Sequence, residues 1–163
     1  MAQVTRGGGM IIIGLSLFVA LILTIIPLPQ WMAAFRPEWV TLTLIYWSMA
    51  LPHRIGIFTA FGLGLMLDVL KGALLGQHAL ALVVVTYLTL KVYQQIRIFP
   101  MWQQALSIMG LLILYQVLVV WVNGITGIKS GEWNEWLSTL SSTLLWPWVY
   151  LILRDLRRHF GIK

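Results

Sequence analysis

The chain has 163 residues, 60% apolar and only 10% charged, with nine Trp and a formal net charge of +6. An ordinary soluble domain carries about 25% charged residues, so a soluble globular protein is excluded and a single-domain integral membrane protein is indicated. A basic balance would suggest nucleic acid in a soluble chain. Here the basic residues fall in short loops and tails, where orientation in a membrane accounts for them and no nucleic-acid partner is implied. The absence of Cys rules out disulfides, thiolate metal sites and thiol nucleophiles.

Residues 1–9, with Gly7-Gly8-Gly9, read as a flexible cytoplasmic tail. Met10 to Ile26 is uncharged and stops at Pro27-Leu28-Pro29, giving a first span at 10–26. That run imitates the apolar part of a signal peptide, but Met32-Ala33-Ala34 is a poor cleavage site, so the segment is expected to stay as an anchor. Ser16, Ala20 and Thr24 form a small-residue stripe that serves either intramolecular packing or a partner. Trp31 to Glu38 reads as a loop holding Arg36-Pro37-Glu38-Trp39, with Pro37 placed to open a helix. The following apolar run, Trp39 to Leu51, is short before Pro52-His53-Arg54; it is either a crossing at 38–52 or a re-entrant element.

A third span, 55–71, carries Gly56, Ala60, Gly64 and Asp68 at every fourth position, continued by Gly72 and Gly76. Residues four apart share one helix face, so this is a bare ridge ending in a carboxylate. Small residues at that spacing let membrane helices approach closely, so the ridge is expected to be an open seam on which a partner's helix docks, and a buried carboxylate asks for a partner. Asp68 and Lys71, three apart, allow a local ion pair; the other reading is that Asp68 docks a partner or fixes the fold of span three. The turn is expected near Lys71-Gly72, with the fourth span at 73–91.

Lys91 to Trp102 reads as a basic, aromatic connector at the interface. Spans five and six follow at 102–122 and 136–153, separated by a polar turn with Lys129, Glu132 and Glu135, and a basic tail occupies 154–163. Six crossings place both termini on one side. With that side cytoplasmic it holds Arg6, Arg54, Lys91, Arg97, Arg154, Arg157, Arg158 and Lys163, against Arg36, Lys71 and Lys129 outside. This agrees with the positive-inside rule.

Pro147, between Trp146 and Trp148, removes a backbone donor inside span six and frees the carbonyl of Thr143, which predicts a kink. Ser138, Ser141, Ser142 and Thr143 can satisfy freed carbonyls or line a helix contact. Trp31, Trp39, Trp102, Trp121, Trp133 and Trp136 fall near span ends, as an aromatic belt requires. His53, His78 and His159 have no metal-ligand spacing, and His78 reads as a packed, hydrogen-bonded group near the outer end of span four. With no catalytic constellation and no cofactor box, neither an enzyme nor a cofactor is expected.

Taken together, Arg36-Pro37-x-Trp39, Tyr46-Trp47, Ala50-Leu51-Pro52-His53-Arg54, Gly64-xxx-Asp68-xxx-Gly72-xx-Leu75-Gly76, Trp102-Gln103-Gln104 and Leu145-Trp146-Pro147-Trp148 resemble the rod shape-determining MreD family, proteobacterial type. The resemblance covers nearly the whole chain. It implies a non-catalytic subunit of the bacterial inner membrane that binds MreC directly and serves cell-wall elongation beside MreB, RodA and a penicillin-binding transpeptidase. It also implies an all-α membrane fold, six helices in one bundle, similar to the substrate-binding subunits of energy-coupling-factor transporters. The site residues it marks are Arg36, Pro37, Trp39, Pro52, His53, Arg54, the ridge from Gly56 to Gly76, and Trp146-Pro147-Trp148. The alternative is a substrate-binding subunit of a small-molecule or lipid transporter, which needs convergent polar groups that the sequence offers sparsely.

Overall fold

The computed structural model describes residues 6–33, 35–127 and 134–162. Seven helices and no strand occur among them: α1 (Arg6–Ile25), α2 (Gln30–Ala33), α3 (Trp39–Ala50), α4 (Ile57–Lys71), α5 (Gln77–Ile98), α6 (Met101–Thr126) and α7 (Asn134–His159). Among the described residues, four stretches are long and apolar enough to cross a membrane: Gly7–Ile25, Gln77–Ile98, Met101–Thr126 and Trp136–His159. The chain is an all-α membrane protein.

The segments expected to cross at 38–52 and 55–71 are helices of 12 and 15 residues. At about 1.5 Å per residue they reach roughly 18 and 22 Å, short of a hydrocarbon layer of about 30 Å. For α3 the reason is its place in the fold: it packs among α1, α5 and α7, and every residue from Val40 to Met49 is buried. A helix that is apolar all round belongs in a core. Its own hydroxyls turn back on the preceding turn, Thr43 donating to the Trp39 carbonyl and Ser48 to that of Leu44, both at 2.8 Å.

Several boundaries differ from the hydropathy edges. The tail expected at 1–9 is helical from Arg6, and α5 begins at Gln77 rather than 73 and continues through Lys91 to Ile98, across the expected connector. Helix α6 runs on to Thr126, and α7 takes in the basic residues Arg154–His159 expected in the tail. Polar side chains end an apolar run but not a helix, because Lys, Arg and Gln are good helix formers whose heads reach water past the end of the span. What stops α5 is Pro100, which holds Phe99 extended at φ −65°, ψ 145°. Lys129, Glu132 and Trp133 of the polar turn, Met1–Thr5 and Lys163 lie outside the described residues.

The starts of α3, α5 and α7 gather with the ends of α1, α4 and α6 at one end of the bundle, tied by hydrogen bonds described below. At the opposite end, Gly9 of α1 lies beside Arg54, after α3, and Ile162, after α7. The outer surface is apolar, with Leu15 and Phe18 on α1 and Leu144 and Ile152 on α7 all more than half exposed. Trp31 and Trp102, also exposed, sit at the starts of α2 and α6, and exposed Trp121 lies within the last two turns of α6.

Candidate functional site

The end of the bundle away from the termini is built around Asp68. Helix α4 closes on Gly72 at φ 65°, and α5 opens on Gly76 at φ 99°, both left-handed conformations that glycine adopts without cost to a Cβ. Gly76 has no side chain with which to cap α5. Asp68, fully buried, supplies the cap from the neighbouring helix. Its Oδ2 accepts the Gly76 N–H and its Oδ1 the His78 N–H, each at 2.8 Å. The same Oδ1 lies 2.8 Å from His78 Nδ1, which donates to it. A carboxylate thus sits at the positive end of the α5 dipole with both of its oxygens engaged.

This arrangement corrects two expectations. Asp68 does not pair with Lys71; Lys71 Nζ lies 3.7 Å from Glu38 Oε2 at the start of α3. Nor is the ridge an open seam. Ala60 is fully buried, and a Cβ placed on Gly64 would lie 2.2 Å from Ala79 Cα and 2.6 Å from its N. The glycine spacing brings α4 against α5 of the same chain, backbone to backbone. Gly56 caps the start of α4, where a methyl group would meet nothing within 4 Å, and Gly72 and Gly76 form the turn.

Around this pivot the other helix ends are fastened by polar side chains. Arg36 donates from Nη1 to the Thr24 carbonyl at 2.9 Å and from Nη2 to that of Ile26 at 2.8 Å, closing the C-terminus of α1 ahead of Pro27. The hydroxyl of Ser138 donates to the Arg36 carbonyl. That of Ser142 accepts the Glu38 N–H at 2.8 Å and donates to the Ser138 carbonyl. The serines upstream of Pro147 therefore hold the start of α3 against α7. Gln77 Nε2 donates to Asn123 Oδ1 at 2.6 Å and to the Val119 carbonyl at 3.2 Å, joining α5 to α6.

These groups border an open cavity of about 580 Å³, lined among others by Arg36, Glu38, Lys71, His78, Tyr115 and Asn123. Tyr115 is 1% exposed, and its hydroxyl and that of nearby Thr41 face each other, with no further hydrogen-bond partner among the described residues. The bundle therefore contains more convergent polar groups than the sequence suggested.

The remaining marked residues lie elsewhere. Trp146 is fully buried and donates to Gln104 Oε1 at 3.3 Å, whose amide donates to the Ile96 carbonyl, whereas Trp148 is 66% exposed. Helix α7 passes through Pro147 without interruption. Pro37 precedes the cap of α3 rather than opening the helix, and Trp39 is its first residue. Pro52, His53 and Arg54 form the turn at the opposite end of the bundle. Glu38, Gln77 and Asn123 join the site without having been singled out by the sequence; His78 stands ten residues beyond Asp68 across two glycines, a spacing no helical period reveals.

A family described as rod shape-determining protein MreD matches residues 5–156 of this chain. The chain belongs to the MreD family. It is also similar to the rod shape-determining protein MreD of Haemophilus influenzae (strain ATCC 51907 / DSM 11121 / KW20 / Rd), with 35% identity over 145 residues, 88% of this chain and 90% of the relative. No solved structure matches. Membership of the MreD family makes this a membrane protein of bacterial cell-shape determination, and it places Asp68, Arg36 and the serines of α7 in the architecture of such a protein.

Proposed function

We propose that this chain is a non-catalytic subunit of the rod, or elongation, complex in the bacterial inner membrane. In this reading it binds MreC directly and, beside MreB, RodA and a penicillin-binding transpeptidase, helps organise peptidoglycan synthesis. The match to MreD over residues 5–156 carries the proposal. Residues 10–153 act as one six-helix membrane domain, of the kind found in the substrate-binding subunits of energy-coupling-factor transporters, with α3 and α4 as short crossings and both termini cytoplasmic. The ridge from Ala60 to Asp68 contributes by fixing α4 to α5, and contact with MreC falls on the exposed apolar faces. Affinity purification of the tagged chain from native membranes tests this: MreC is expected to co-purify, and its absence from a folded, normally abundant preparation overturns the proposal.

One observation favours a second reading, a ligand-binding subunit. The cavity of about 580 Å³ lies within the size range of small-molecule sites, roughly 300–1,000 Å³, and holds a buried tyrosine hydroxyl with no hydrogen-bond partner beyond nearby Thr41. Mass spectrometry of small molecules released from purified, denatured protein decides it. A stoichiometric compound supports this reading, and none argues against it.

A further inference from the structure

At the end of the bundle where the termini lie, a second cavity of about 260 Å³ opens between the turn after α3 and the last turns of α5. It is lined by Pro52, His53, Arg54, Tyr93 and Arg97. Its charge is one-sided. Neither Arg54 nor Arg97 makes an ion pair among the described residues, and no carboxylate lines the cavity. Glu38 and Asp68 are held at the opposite end, and Asp155 faces Arg154 at 3.8 Å.

Arg54, half-buried, also lies against α1. A Cβ on Gly9 would stand 2.8 Å from its Nη1, so the guanidinium lies across the first turns of α1. That helix has no acidic residue in its first turn, so its positive end adds to the same field. Two guanidinium groups that line one cavity without a counter-charge repel each other, and an anion bound between them would relieve that repulsion. The planar donor fork of arginine matches phosphate oxygens two at a time. The cavity lies at the ends of apolar helices, the depth at which lipid phosphates are found, and basic pockets between membrane helices bind anionic headgroups there.

We infer that the Arg54–Arg97 cavity is a phosphate-binding site, one that gives the Pro52-His53-Arg54 turn a role independent of MreC. The phosphate comes either from an anionic phospholipid headgroup or from free phosphate. The full chain in phosphatidylcholine nanodiscs separates these, with thermal melting followed as phosphatidylglycerol is introduced into the disc or inorganic phosphate into the buffer. Saturable stabilisation by phosphatidylglycerol alone assigns a headgroup; stabilisation by inorganic phosphate at millimolar concentration assigns the free ion.

The Arg54→Gln, Arg97→Gln double variant is expected to lose tenfold or more in apparent affinity. A charge-matched control, Lys91→Gln with Arg158→Gln, removes two exposed basic residues of the same end that do not line the cavity, and is expected to stay within twofold of the parent. Should Arg54→Gln impair folding, Arg97→Gln alone, at an exposed position, carries the same comparison. Equal losses in cavity and control variants would mean general surface attraction and overturn the inference, as would the absence of a response to either probe.

Discussion

Asp68 stabilises the fold by what it accepts rather than by its charge alone. It takes two backbone N–H groups at the start of α5 and the imidazole of His78. Each buried donor left without a partner costs about 1–3 kcal/mol. Asp68→Ala is therefore expected to lower the melting point in detergent sharply, and Asp68→Asn, which keeps one acceptor oxygen, less so; equal melting of both with the parent would remove the cap from the account. Gly64 and Gly62 give a matched pair. A methyl on Gly64 meets the Ala79 backbone, whereas one on Gly62 meets nothing within 4 Å. Gly64→Ala should cost about 1–3 kcal/mol or more from overpacking. Gly62→Ala should be neutral or stabilise by roughly 0.5–1 kcal/mol through helix propensity. A denaturant series on the two variants checks this, and similar curves would deny the close approach of α4 and α5. The i+4 ridge and its carboxylate were legible in the sequence because they repeat with the helix. Their partners were not, since Ala79 and His78 come after a turn that breaks the period. That is also why the i+3 spacing of Asp68 and Lys71 misled: with Asp68 turned into α5, Lys71 is left to reach Glu38.

At the scale of helices, the termini decide more than the middles. The apolar runs located every helix longer than α2, but hydropathy marks where lipid ends and not where hydrogen bonding ends, so α5, α6 and α7 each extend beyond their runs. The shortness of α3 was visible as an ambiguity at Trp39 to Leu51; its cause, burial on every side, depends on which helices surround it and has no signature in one segment. Arg36 shows how one side chain ends a helix that proline has interrupted. Its two Nη groups hold the Thr24 and Ile26 carbonyls, acceptors that the following prolines help to leave open. Arg36→Lys replaces a fork with a point donor and should lose one of these two bonds. Hydrogen bonds to charged groups contribute about 1.5–3 kcal/mol, so a loss of that order in unfolding free energy is expected. Full stability in Arg36→Lys would show that a single charge suffices there.

For the molecule as a whole, the arrangement of ends carries a sidedness that can be tested without removing anything, because the chain has no cysteine of its own. Trp31 is 75% exposed at the end holding Asp68, Ile98 is 82% exposed at the end of α5, and His53 is exposed in the turn between α3 and α4. Single substitutions Trp31→Cys, His53→Cys and Ile98→Cys can each be challenged with an impermeant maleimide on intact spheroplasts. If six helices cross with the termini inside, position 31 labels at once, while 53 and 98 label only after lysis. If α3 and α4 instead dip in and return, position 53 labels from outside together with 31, while 98 stays protected, since an even number of crossings has been removed. The basic end bears on the choice between these patterns. Arg54 and Arg97 line one cavity, so a topology with 53 outside and 98 inside would have to tear that cavity apart, and labelling of 31 and 53 from one side would refute both the six-crossing arrangement and the phosphate site it supports.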